Sequence, residues 1–143
     1  NWAKKLESNK ATWGNVKASD FGKGAMNIAP AGSADAVLTF RNVHNWMAQG
    51  YAEEAIKGFY DALKPGGIYA VVDHSRRHME PDNPENGRRM DPVLAIKEIQ
   101  AAGFDFVDYS DVHFRPDDEL RYEVGRKTVT GNTDRFTLKF VKK

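Results

Sequence analysis

Two stretches of this chain are almost continuously apolar and β-capable. They are Ala34-Asp35-Ala36-Val37-Leu38-Thr39-Phe40 and Ile68-Tyr69-Ala70-Val71-Val72, the pattern of strands covered on both faces. Between them, Ala55, Ile56, Phe59, Tyr60 and Leu63 recur at helical spacing, which predicts a helix over about 51–63. Lys64-Pro65-Gly66-Gly67 stops it, because proline cannot continue a helix and glycine supplies a positive-φ exit. Asp91-Pro92 opens a second helix as N-cap and first-turn proline, with Val93, Leu94, Ile96, Ile99 and Ala102 on its apolar side and Gly103 at its end. Phe104 to Phe114 alternates enough for a strand, and Arg135 to Val141 alternates more strictly.

The remaining segments are polar or broken. Residues 1–10 suit a short surface helix with Trp2, Ala3 and Leu6 on one side, and Trp13 to Ser19 is expected to form a short strand ending at Ser19-Asp20. Residues 22–33, with three glycines and a proline, read as loop. A long polar loop spans 75–91, and a charged excursion over 115–133 separates the last two strands. The expected order is α, β, β, α, β, α, β, β. Strand-helix-strand units imply right-handed parallel crossovers and the closing pair an antiparallel edge, so the fold class is an α/β open sheet in one domain spanning 1–143.

Composition narrows the function classes. Apolar residues make up 41% of the 143 and charged residues 29%, as in an ordinary globular domain. Lys and Arg number 21 against 20 Asp and Glu, so electrostatics give no argument for nucleic acid or a membrane surface as partner. With no cysteine, disulfides, thiolate nucleophiles and zinc ribbons are excluded. No stretch approaches the roughly 18 apolar residues of a membrane helix. No signal-peptide pattern opens the chain, so a soluble, cytoplasmic protein is the default expectation. The first residue is Asn rather than Met, which suggests that something upstream was removed.

In open α/β sheets, ligands bind beyond the carboxyl ends of the strands. Three such ends are polar here: Ser19-Asp20, Arg41-Asn42-Val43-His44-Asn45-Trp46, and Asp73-His74-Ser75-Arg76-Arg77. If the strands run parallel, these clusters share one rim. The basic pairs Arg76-Arg77 and Arg88-Arg89 are offset locally by Glu80, Asp82, Glu85 and Asp91, so that loop reads as solvated. His44, Asp73, His74, His78 and His113 contain no recognised ligand spacing on a predicted helix, and no metal is expected.

Ala-Asp-Ala-Val-Leu-Thr-Phe-Arg-Asn-Val-His-Asn-Trp, a helix, and then Leu-Lys-Pro-Gly-Gly-Ile-Tyr-Ala-Val-Val-Asp-His together resemble the second half of a class I S-adenosylmethionine-dependent methyltransferase, in wording closest to a bacterial group of predicted methyltransferases. The resemblance covers residues 14–143. It implies a Rossmann-like, mostly parallel sheet with a C-terminal antiparallel hairpin, in which the 34–40 and 68–72 strands are the fourth and fifth of the family order 3-2-1-4-5-7-6. It implies S-adenosylmethionine as cofactor and a small-molecule methyl acceptor. Asp20 and Phe21 resemble the end of the third strand, where the adenine is contacted. Arg41, Asn42, Asn45 and Trp46 resemble the motif flanking the sulfonium. His44 is the candidate base, its ordinary pKa lying near neutrality, and Asp73 and His74 would face the acceptor. For His44 a backbone hydrogen bond at the strand exit, and for Trp46 simple core packing, are the competing readings.

The departure from the family is as informative as the match. Such enzymes hold the cofactor through a glycine-rich turn after the first strand and an acidic residue ending the second. Gly22-Lys23-Gly24 is followed by no helix start and does not fit that turn. A chain without the family's first and second strands leaves strand three without its neighbour and the 36–40 edge apolar and open. A second copy, the Val16 strand, or further polypeptide is expected to cover it, and the chain by itself is expected to be an incomplete, impaired or inactive enzyme. A non-catalytic binding or scaffold module assembling through that edge is the alternative.

Overall fold

In the computed structural model, which describes all 143 residues, the elements run α1 (Trp2–Ser8), α2 (Lys10–Trp13), β1 (Ala34–Phe40), α3 (Val43–Ala48), α4 (Ala52–Ala62), β2 (Leu63–His74), α5 (Pro92–Ala101), β3 (Phe104–Ser110) and β4 (Arg135–Lys142). One four-stranded sheet has the order β1-β2-β4-β3. β1 and β2 are parallel, and β4 runs antiparallel to both β2 and β3. This is the 4-5-7-6 half of the order that the resemblance implies. No helix is long and apolar enough to cross a membrane.

The capping and stop signals act as their chemistry requires. The Asp91 side chain accepts the Val93 N–H at 2.8 Å, with Pro92 in the first turn of α5. α4 buries Ala52, Ala55, Ile56, Phe59 and Ala62 along one stripe and places Glu53 and Glu54 in its first turn, where the helix dipole favours them. It then passes into β2 without a loop. Register jumps from Ala34 opposite Leu63 to Ala36 opposite Ile68, so Lys64 to Gly67 bulge out of the ladder. Gly66 takes φ +79°, and a Cβ on Gly67 would lie 2.8 Å from the Lys64 carbonyl oxygen. Both glycines of the Leu-Lys-Pro-Gly-Gly motif are therefore required by backbone geometry.

The core occupies one face of the sheet. Tyr69, Val71 and Asp73 of β2 lie opposite Phe140, Leu138 and Phe136 of β4, all six buried, and Val43, Ala55, Ile56, Phe59, Ala95 and Ile99 of the helices complete that side. The Tyr69 hydroxyl shares a 2.9 Å hydrogen bond with Thr39, and burial raises its phenol pKa well above the ordinary value, outweighing that bond. The opposite face is not packed by helices along β1, where Leu38 is 59% and Phe40 56% exposed.

Four sequence expectations are corrected. β1 is covered on one face rather than two. Trp13 to Ser19 forms no strand: Trp13 ends α2, Gly14 takes φ +71°, and Val16 is exposed. A single valine among Asn, Lys and Ser gives that segment no apolar face to bury, so it neither forms a strand nor crosses to cover β1. The Val43–Ala48 stretch, read as strand-end rim, winds into α3. The basic loop over 75–91 is not simply solvated, because Arg89 is buried and forms a bidentate pair with Asp118 at 2.8 and 2.9 Å.

That pair ties the 75–91 loop to the 111–134 connection. Arg89 also donates to the carbonyls of Ser75 and Tyr122, and Asp118 accepts the N–H groups of Leu120 and Asp134. Burial alone would raise the Asp118 carboxyl, but the Arg89 contacts and these N–H groups hold it below the usual carboxylate range. Breaking a buried ion pair by removing one partner leaves an uncompensated charge. Asp118→Ala is expected to cost about 3–5 kcal/mol of folding stability. Urea denaturation of the variant beside the parent measures it, and a loss below about 1 kcal/mol, the scale of an exposed pair, would refute the clamp.

Candidate functional site

The carboxyl end of β2 delivers Asp73 to the helix face of the sheet and His74 to the other. Chain leaving β1 turns sharply: Arg41 takes φ +57°, donates its N–H to the Val72 carbonyl at 2.7 Å, and launches α3 over the end of β2. This seats His44 on Asp73. The His44 backbone N–H donates to one Asp73 oxygen at 3.0 Å, and its ring Nδ1 lies 2.7 Å from the other. The His74 backbone N–H adds a 2.8 Å bond to that second oxygen. Asp73 has no exposed surface and the His44 side chain only 8%.

A carboxylate can only accept, so Asp73 fixes the proton of His44 on Nδ1 and leaves Nε2 as the ring's accepting nitrogen. Of the two readings of His44, the hydrogen bond that holds it at the strand exit runs to a carboxylate and not to a backbone carbonyl. His74 stands 6.0 Å from His44 between ring centroids, with its Nδ1 2.8 Å from the Thr133 hydroxyl. Burial drives the His74 pKa down to about 4; attraction to Asp73 opposes this, and Arg135, His44 and Arg89 add to the lowering. At neutral pH His74 is an uncharged ring.

Two clefts meet at His44 and Asn45. One, of about 550 Å³, lies over the strand ends and is lined by Arg41, Asn42, His74, Thr133 and Arg135, among others. The second, of about 660 Å³, opens towards Arg76, Asn83, Arg88 and Leu94 in the 75–91 loop and α5. Thus six of the residues singled out from sequence, Arg41, Asn42, His44, Asn45, Asp73 and His74, converge on one rim. Trp46 does not join them. It is buried against Phe21 at 5.2 Å and Phe59 at 5.4 Å between ring centroids. Phe21 and Trp46 instead wall a shallow apolar cleft along β1 with Leu38 and Phe40. Asp20 lies exposed in coil, since the strand expected to carry it does not form. Sequence reading missed Thr133 and Arg135. Both belong to the far end of the chain, and no local pattern links residue 133 to residue 74.

No protein-family model matches the chain, and no curated protein matches it. Solved structures do. The [4+2]-cyclase SpnF superposes with a TM-score of 0.70 at 19% identity, over 98% of this chain and 60% of that one. A SAM-dependent methyltransferase from Aquifex aeolicus gives 0.60 at 14%, over 96% and 60%. The Burkholderia thailandensis 1,6-didemethyltoxoflavin-N1-methyltransferase, with 1,6-didemethyltoxoflavin and S-adenosylhomocysteine bound, gives 0.59 at 15%, over 99% and 56%. The fold is that of the class I methyltransferases. This chain spans about three-fifths of the length of those structures. In the sheet order β1-β2-β4-β3, β1 is an open edge.

The low pKa of His74 has a measurable consequence. An unfolded histidine titrates near 6.5. Between about pH 6.5 and pH 4 the unfolded chain therefore binds a proton that folded His74 does not. The stability this residue contributes is complete above pH 6.5 and is lost as pH falls towards 4. Urea unfolding of the parent and of His74→Gln across that window should show a steeper acid loss in the parent. Equal slopes would contradict the buried neutral ring.

Proposed function

We propose that these residues form the acceptor side of an S-adenosylmethionine-dependent methyltransferase, with His44 as general base and Asp73 as the residue that orients it. The observation that carries the reading is the buried Asp73–His44 pair at the rim where strands of this fold end. The cofactor would supply an electrophilic methyl group. His44 Nε2 would take the proton of an acidic acceptor, Asp73 would stabilise the resulting imidazolium, and neutral His74 would border the acceptor without competing for the charge.

The chain fits only one side of that cofactor. The cleft along β1 offers the Phe21, Leu38, Phe40 and Trp46 surfaces and the Asn42 amide, but no carboxylate lines it for ribose hydroxyls, and no glycine-rich turn faces it. In this reading the remaining contacts would come from polypeptide pairing along β1. SpnF, a cyclase on this fold, is a reminder that fold alone does not assign the reaction.

Calorimetric titration with S-adenosylmethionine tests the reading. No heat of binding is expected for the 143 residues by themselves, and saturable binding for a longer polypeptide that includes them. Absence of binding by both would overturn it. In that longer protein, His44→Ala should lower kcat by about 10²–10⁴ with cofactor affinity retained.

A second reading, a non-catalytic module that assembles through its edge, is favoured by the exposed Leu38 and Phe40 on an unpaired strand. An apolar edge of that kind is a template for pairing, with a second copy as the simplest occupant. Light scattering over a concentration series should then show dimers that Leu38→Lys with Phe40→Lys abolishes. A monomer at every concentration would count against assembly through β1.

A further inference from the structure

The cavity over the strand ends has a lopsided charge. Its thirteen lining residues include Arg41, Arg88 and Arg135, and none is Asp or Glu. The whole chain carries a formal charge of only +1, so this concentration is local. At the cavity wall Arg88 pairs with Glu123, as Arg76 pairs with Asp82 and Arg89 with Asp118 outside it. Arg41 and Arg135 have no carboxylate partner. Moreover, the Nε of Arg135 is buried and makes no hydrogen bond. An unmade hydrogen bond at a buried charged group costs stability, and in a native site it calls for a partner.

β-sheet register places that guanidinium. Arg135 of β4 is directly opposite His74 of β2, so the two side chains share one face at cross-strand spacing. Thr133 supplies a hydroxyl beside them. Arg41, at the strained turn that also positions His44, lines the same cavity.

We propose that this cavity binds an oxyanion, a carboxylate or a phosphate monoester of the molecule that occupies it, with Arg135 and Arg41 as its charged contacts. Resting on the methyltransferase reading, this would make the acceptor an anionic small molecule anchored by its charged group beside the His44 base. A guanidinium matches either oxyanion through paired N–H donors. The depressed His74 pKa is consistent with an uncompensated positive charge at Arg135.

The test uses the ¹⁵N-labelled 143-residue chain and two probes, inorganic phosphate and benzoate, titrated at constant ionic strength so that screening does not vary. The Arg135 Nε–Hε signal and the His74 ring signals are followed by NMR. Saturable shifts at both are expected, with phosphate preferred for a phosphate monoester site and benzoate for a carboxylate site. Arg135→Gln should weaken binding at least tenfold, about 1.4 kcal/mol, Arg135→Lys should weaken it less because it keeps the charge without the paired donors, and Arg76→Gln should leave it unchanged. A backbone NMR fingerprint superposable on the parent's confirms that each variant is folded. Linear shifts that never saturate with either probe, or equal binding by parent and Arg135→Gln, would overturn the proposal. Because no cofactor is present, failure here leaves the methyltransferase reading to its own titration, and failure of that titration leaves anion binding standing.

Discussion

The antiparallel pairing of β2 with β4 is the constraint on which the rest of this structure depends. Seven consecutive residue pairs, from Ile68 with Val141 to His74 with Arg135, put alternate residues on opposite faces. One set, Tyr69, Val71 and Asp73 with Phe140, Leu138 and Phe136, is buried beneath the helices. The other ends in His74 and Arg135 at the rim. A slip of β4 by one residue would exchange its own two sets, turning Arg135 towards the helices and Phe136, Leu138 and Phe140 away from them. The hydrophobic core and the polar site are thus two results of a single register.

Asp73 shows how core packing and chemistry are joined. It occupies a core-facing position, where an apolar residue would serve packing better, and a buried carboxylate is tolerated only if its oxygens are satisfied. Three donors do so, two of them from His44 and one from the backbone of His74. The left-handed turn at Arg41 is what lets α3 begin close enough to supply them. Strain in the backbone at one residue and burial of charge at another are both unfavourable locally, and both converge on the orientation of one imidazole.

The loops follow a similar logic. Residues 75–91 and 111–134 are polar and separately have no apolar face to pack, yet the Arg89–Asp118 pair and its backbone hydrogen bonds draw them together over the strand ends. Their walls then define both clefts at His44. What differs among proteins of this fold is carried by such loops, whereas the sheet beneath is shared with enzymes as unlike as a cyclase and an N-methyltransferase.

Sequence by itself determined the elements whose signals are local. Asp91-Pro92 capped α5, the Leu-Lys-Pro-Gly-Gly run ended α4 and forced a bulge at the start of β2, and the alternating Arg135–Val141 stretch became β4. It also determined the polar strand ends, because residues beyond a strand's carboxyl end must leave the core. The short strand before Asp20 failed for want of an apolar face, and β1 looked doubly covered because an apolar run carries no information about what lies opposite it. Only the tertiary structure decided that His44 would rest on Asp73, that Arg89 would be buried by Asp118, and that His74 would face Thr133 and Arg135. Those partners are separated by 29, 29, 59 and 61 positions along the chain. Periodicity sees a few turns or a few strand positions, whereas a charge is matched by whatever group the sheet's register and the loops bring beside it.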